Sequence, residues 1–297
     1  MKQNDLIRFD GTSPESVVLV GNGAINNGWK PLREVLDPMI FNDGKESDVV
    51  KKIKVQNCET FHQLSIISYR FKLYRAQILR KLIGGTISLK DLEVKGLDPI
   101  VQSFLKLRND IGDSYKAQGE ELSLRNSEKI NKLIGENALY ITTNWDETLW
   151  NEQSVENVAY LHGRASLPQS IVFPTELLID DTMFDPRKLE GFEDCSGGFK
   201  NILSEVFRFE SIGQLMDTIT FSCKALRNAK RIIVWGFNLA DYDADINTLL
   251  STNTNPAQEL VVINTDFTAF GRAIGLTGIT RATHFNPDTE LCLSMMT

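Results

Sequence analysis

The chain has 297 residues, 42% of them apolar and 24% charged, with a formal net charge of −7. This is the composition of an ordinary globular protein of one large or two small domains, and the acidic balance lacks the overall cationic footprint of a nucleic-acid binder. No apolar run approaches the roughly 18 residues of a membrane helix, and the early VVLVG run is too short for a secretory leader, so a cytoplasmic protein is expected that binds neither membrane nor nucleic acid.

Residues 16–20, SVVLV, form a β-branched run suited to a strand buried on both faces, as in a parallel sheet. It stops at Gly21-Asn22-Gly23-Ala24, after which a helix is expected. From 46 to 135 the spacing becomes helical. Leu64, Ile67, Phe71, Tyr74, Ile78 and Leu82 recur at three- and four-residue steps. Ile100, Phe104, Leu107, Ile111 and Tyr115 do the same behind Asp98-Pro99, a cap and first-turn pair. No strand is read in this region. Strands resume immediately after it, at 138–143, 157–161 and 170–173, so the region reads as an insertion and not an independent domain. A helical stretch then runs to about Asn228. Strands at 231–236 and 259–265 flank a helix starting near Asp243, and a last strand is expected around Ala282–Phe285. Strands alternating with helices predict an α/β fold, a Rossmann-like parallel sheet with helices on both faces. Residues 1–45 and 136–297 would form the core and 46–135 the helical insertion.

Two minor features have plain readings. Arg70, Lys72, Arg75, Arg80 and Lys81 read as a solvated helix face. The four cysteines, Cys58, Cys195, Cys223 and Cys292, contain no Cys-x-x-Cys pair, which argues against a zinc ribbon and for reduced, buried thiols.

Chemistry concentrates at the strand ends. The run Leu139-Tyr140-Ile141 delivers Thr142, Thr143, Asn144, Trp145 and Asp146 to the carboxyl edge of the sheet, where open α/β sheets bind ligands. A second short run, 158–161, delivers His162 beside Gly163. Each residue alone is more often a cap or a core histidine; together on successive strand ends, Asn144, Asp146 and His162 are the candidate catalytic groups. Gly21, Asn22, Gly23, Ala24 and Asn26 follow the first strand, where glycines let the backbone approach a pyrophosphate. Gly236, Phe237 and Asn238 repeat that arrangement, and two such strand ends suit a dinucleotide better than a mononucleotide. Thr143 and Asn264 complete the candidate cofactor contacts. Asp241, Asp243 and Asp245 suggest helix capping more than a metal, and His62 and His284 are read as structural.

The order GNGA, TTNWD, LHG, GFNLADYDADI, VVINT, spanning residues 17–265, resembles the sirtuin-like NAD-binding fold. The resemblance implies that Gly21 to Ala24 line the phosphates and that Asn144 contacts the nicotinamide ribose. It implies that Asp146 holds the nicotinamide end or the local geometry, and that His162 is the acid/base group. Gly236 and Asn238 would sit on the phosphate and adenosine side, with Asn264 on the adenosine ribose. The chain departs from protein-deacylating sirtuins in having no four-cysteine zinc module after His162-Gly163 and no recognisable acyl-lysine segment. It also reads AINNGWKPL where a long arginine-bearing cofactor loop would stand. In these departures it is similar to zinc-less sirtuin-like domains of bacterial antiviral defence.

The resemblance therefore implies NAD+ as a substrate, cleaved to nicotinamide and ADP-ribose without a metal. A non-hydrolysing NAD or ADP-ribose sensor, and an NAD-dependent protein deacylase, are the other readings. It further implies control by assembly: a homo-oligomer, and a separate activator such as a HerA-type ATPase, an Argonaute-like protein or another sensor. The chain itself has no P-loop. Aromatics of the insertion (Phe61, Tyr69, Phe71, Tyr74) are either an oligomer face or core packing.

Overall fold

The structure is a computed structural model describing residues 14–40, 58–134, 137–153, 158–173, 176, 184–207, 209–289 and 292–295. Residues 1–13, 46–57, 135–136 and 157, and the side chains of Cys58, Phe61, His62, Ile100 and Cys292, lie outside the described residues.

The described residues form nine strands: β1 (Ser16–Val20), β2 (Ile25–Asn26), β3 (Ser123–Leu124), β4 (Ala138–Thr142), β5 (Val158–Tyr160), β6 (Arg231–Trp235), β7 (Glu259–Ile263), β8 (Ala282–Phe285) and β9 (Cys292–Met295). The main sheet runs β5-β4-β1-β6-β7-β8-β9. Its first six strands are parallel and β9 closes the far edge antiparallel to β8. Counting the parallel strands alone, this is the 3-2-1-4-5-6 order of a Rossmann sheet, with its switch point between β1 and β6. The α/β fold read from the sequence is therefore the fold of the protein.

The described residues also form ten α-helices: α1 (Lys30–Ile40), α2 (Cys58–Ile83), α3 (Leu89–Lys95), α4 (Pro99–Ala117), α5 (Ser127–Ile134), α6 (Thr148–Gln153), α7 (Gly197–Phe207), α8 (Phe209–Asn228), α9 (Ala244–Asn253) and α10 (Phe267–Thr277). Alternation along the strands assigns them to two layers, because successive side chains leave opposite faces. Val17, Leu19, Leu139, Ile141, Ile232, Val234, Leu260 and Val262 pack with Leu226, Ile246, Leu250 and Phe270 of α8, α9 and α10. Val18, Val20, Tyr140, Ile233, Trp235 and Ile263 face the other way, into a cluster with Leu32 and Leu36 of α1 and Phe71, Phe104 and Ile111 of the insertion. The insertion thus shares the core of one sheet face. Within it Phe71 stacks on Phe104 at 3.9 Å, so this aromatic is core packing, whereas Tyr69 is 55% exposed.

Several expectations are corrected. Residues 170–173 are not a strand: Pro168–Ser170 form a 3-10 turn, and Ile171, Val172 and Phe173 are buried without joining the sheet. An apolar run signals burial, and burial alone does not create a ladder. Among its described residues the insertion contains one short strand, β3, paired antiparallel with β2. Arg75 does not belong to a solvated face; it is fully buried, with its guanidinium 5.7 Å from the centre of the Phe71 ring. Cys195 is buried and Cys223 half-buried, both as free thiols. Among the described residues no helix is long and apolar enough to cross a membrane.

Candidate functional site

The loops after β1 and β6 diverge at the switch point, and Gly236 is where they touch. Its φ is +74°, and a Cβ there would stand 2.1 Å from the Ala24 nitrogen. A Cβ on Gly21 or Gly23 would meet the Gly236 carbonyl oxygen at 2.7 Å. The Gly23 N–H donates to that carbonyl (3.0 Å), the Ala24 N–H to the Gly21 carbonyl (3.0 Å), and the Gly21 N–H to the Trp235 carbonyl (2.8 Å). These glycines therefore serve the crossing of two loops, and their N–H groups are engaged within the chain. The helix expected after Ala24 is displaced: Asn22–Ala24 form a 3-10 turn, β2 follows, and α1 starts at Lys30.

The β4 end is locked to β1 by Thr142, whose hydroxyl donates to the Val20 carbonyl (2.8 Å) and accepts the Asn144 N–H (3.0 Å). That fixes Asn144, whose buried Nδ2 has no hydrogen-bond partner among the described residues. Asp146 accepts the Thr148 N–H at 3.0 Å, an N-terminal contact of α6, while its second oxygen is buried and finds no partner among the described residues. Burial pushes its carboxyl above the ordinary range. His162 follows β5, and its carbonyl accepts the Val172 N–H (2.8 Å). Gly163, at φ +79°, is required because a Cβ would lie 2.0 Å from the Ser170 carbonyl oxygen. The close approach it permits is to its own chain.

A cavity of about 740 Å³ opens at this edge of the sheet, within the size range of small-molecule sites. Among the residues read as candidates, Asn22, Gly23, Thr143, Asn144, His162, Gly236, Phe237 and Asn238 line it. Three cations (Lys30, Arg33, Arg125) and the aromatics Trp29, Tyr115, Trp145 and Phe237 share the wall. Lys30 is paired with Glu121 at 2.5 Å. Such a wall offers charge to a diphosphate and flat faces to a ring. No family model, curated protein or solved structure matches the chain. Roles are accordingly assigned from its own residues.

Gly21, Ala24, Asn26, Asp146 and Asn264 do not line the cavity. Asn26 donates to the Ser123 hydroxyl (2.9 Å) and holds β2 to β3. Asn264, expected on a ribose, is a brace: its Nδ2 donates to the Phe237 carbonyl (2.7 Å) and its Oδ1 accepts the Asp266 N–H (2.9 Å). Further side chains secure the same loop. Arg272 donates to the Asn238 carbonyl (3.0 Å), and Asn247 donates to the Ala240 carbonyl (2.9 Å) and the Leu239 carbonyl (3.4 Å).

The acidic trio separates in three dimensions. Asp243 precedes α9 without a side-chain capping bond, so the expected cap is present in position only. Instead it lines the cavity, and burial pushes its carboxyl up to about 6. Asp245 turns to His162, with Oδ2 3.0 Å from Nε2, and that hydrogen bond holds its carboxyl below the ordinary range. Asp241 is exposed. Among the described residues no group of three His, Cys, Asp or Glu side chains is placed to hold a metal. The His284 Nε2–H donates to the Asn264 carbonyl (2.9 Å), away from the cavity.

Sequence reasoning missed Tyr115, Trp29, Arg33 and Arg125. Tyr115 continues an apolar helical stripe and so looks like core, yet its hydroxyl donates to the Gly28 carbonyl (3.1 Å) at the cavity wall. Arg125 has no local pattern to mark it.

Proposed function

We propose that the protein is an NAD+ hydrolase that breaks the nicotinamide–ribose bond, releasing nicotinamide and ADP-ribose. The observation that carries this reading is the convergence of Asn144 and His162 on one cavity with the two glycine-bearing strand ends of the switch point. Dinucleotides bind across that crevice in sheets of this order.

The chemistry asks little of the protein beyond placement. Nicotinamide leaves as a neutral amide when the electrons of the C–N bond pass to its cationic ring, so no proton need be supplied to it. The anomeric carbon becomes oxocarbenium-like, as in glycoside cleavage. Asn144, with its free amide donor, orients the ribose hydroxyls or the attacking water. His162 accepts the proton that this water loses as its oxygen bonds to the anomeric carbon. Asp146 acts on geometry, capping α6 behind the site. Lys30, Arg33 and Arg125 offer the diphosphate its counter-charge.

An unrestrained hydrolase of this kind depletes its own cell. We therefore extend the proposal to a bacterial anti-phage effector, held inactive until a self-assembly or a separate sensor releases it. The test is nicotinamide release from NAD+ by the purified protein, alone and with candidate partners, beside His162→Ala. Release that the substitution abolishes supports the hydrolase. NAD+ bound without release in every condition would make the protein a binding module.

A further inference from the structure

We infer that Asp245 is the positioning residue of His162, holding the imidazole in the tautomer that presents a basic nitrogen to the cavity. The inference rests on the hydrolase reading for its kinetic consequence, but not for its structural one.

His162 follows β5 and Asp245 lies in the first turn of α9, beyond β6. Strands β4 and β1 stand between β5 and β6 in the sheet, so the two parent strands are three spacings apart, roughly 14 Å at ~4.8 Å each. The 3.0 Å contact from Nε2 to Oδ2 therefore joins elements that follow strands from the two halves of the sheet. Local chain geometry does not enforce it, because 83 residues separate the partners.

The two residues face different surroundings. The His162 side chain is 7% exposed and lines the cavity; the Asp245 side chain is 53% exposed and does not line it. The carboxylate thus approaches the ring from outside the site. A carboxylate only accepts hydrogen bonds, so Nε2 must carry the hydrogen. Nδ1, which makes no hydrogen bond among the described residues, then keeps its lone pair for a proton from water. The position of Asp245 in the first turn of α9 also suits a negative charge, since that end of a helix is partially positive. This separates two acids of the DYDAD stretch: Asp243 faces the cavity and Asp245 faces the histidine.

The experiment uses the full chain with ¹⁵N-labelled histidine. It carries three histidines, and a His162→Gln spectrum assigns the one of interest. Long-range ¹H–¹⁵N spectra at neutral pH should show the Nε2–H tautomer of His162 in the parent and a tautomer mixture in Asp245→Ala. Asp245→Asn guards against misfolding by keeping the shape of the side chain. In kinetics, both variants should lower kcat by about 10²-fold, the lower end of what a general base contributes, with KM for NAD+ changed less than about 3-fold. An unchanged tautomer in Asp245→Ala overturns the inference, as does a loss seen only in KM. A fixed Nε2–H tautomer that depends on Asp245, in a parent that releases no nicotinamide, sustains the positioning role and overturns the hydrolase reading instead.

Discussion

The Gly23 N–H donates to the Gly236 carbonyl at 3.0 Å, and this bond joins the two loops between which the switch crevice opens. Both partners are glycine for the same reason: each backbone occupies the space that the other's Cβ would need. Gly236 adds a left-handed φ of +74°. Gly236→Ala should therefore lower stability by about 3 kcal/mol or more, combining strain with a backbone clash. Gly191 has a similar φ of +78° but open space around it, so Gly191→Ala should show the strain alone, about 1 kcal/mol. Urea denaturation of the two variants checks the difference; equal losses would mean that the loops do not meet as described.

Asn144 presents an unusual combination, a buried amide nitrogen without a partner among the described residues. Such a group weakens the fold, and its removal relieves that penalty. Asn144→Ala should leave the midpoint of thermal unfolding unchanged or slightly raised while nicotinamide release falls by roughly 10²-fold or more. His162→Ala should show a comparable loss of release, again with little change in stability, because its partner Asp245 is largely exposed. A large drop in unfolding temperature for Asn144→Ala would show that its amide is satisfied in the fold.

Asp243 makes the cavity pH-sensitive. Its folded carboxyl is pushed up to about 6 from an ordinary 3.8. The folded form thus holds its proton more tightly than the unfolded chain. Its contribution to stability is complete below the ordinary carboxylate range and is lost as pH rises through about 6. The same ionisation places a negative charge in a cavity that would receive a diphosphate. NAD+ should bind several-fold more tightly near pH 5 than near pH 7. Asp243→Asn should flatten that part of the dependence. Calorimetric titration across this range reads both, and an identical profile in the variant would remove Asp243 from the binding wall.

Arg108 of α4 and Glu176 form an ion pair with side chains 3% and 0% exposed. The Glu176 carboxylate also accepts the Phe173 N–H (2.9 Å), and the Arg108 guanidinium lies 4.5 Å from the Phe104 ring centre. The pair fastens the insertion to the segment that returns past His162. Breaking it with Arg108→Ala should cost about 3–5 kcal/mol, because a buried carboxylate loses its counter-charge. Replacing both residues by Met and Leu should recover much of that loss. A double variant no better than the single one would contradict the account.

Much of this architecture is legible in the residues. Val17 to Val20 read as a doubly buried strand because nothing polar interrupts them, and Gly21 marks where they end. Asn144 and His162 are legible for the same reason, as polar groups set where apolar runs stop. Residues 171–173 misled because their apolar character reports burial, which an irregular segment supplies as well as a strand. Asn26 and Asn264 have the chemistry of ligand contacts, and only the fold reveals that β3 and the Phe237 carbonyl already use them. The pairing of His162 with Asp245 leaves no trace in local spacing. Neither does the arrival of Tyr115 at the cavity, since a helical stripe looks alike whether it meets core or crevice.

The loop after β6 has one more implication. Carbonyls at 237, 238, 239 and 240 are gripped by Asn264, Arg272 and Asn247, residues drawn from the end of β7 and from α10 and α9. A change in any one of them leaves the other braces in place, so this wall resists gradual remodelling. Divergence in what the crevice accepts would then accumulate on the opposite bank, at Lys30, Arg33 and Glu34, whose side chains can be exchanged one at a time.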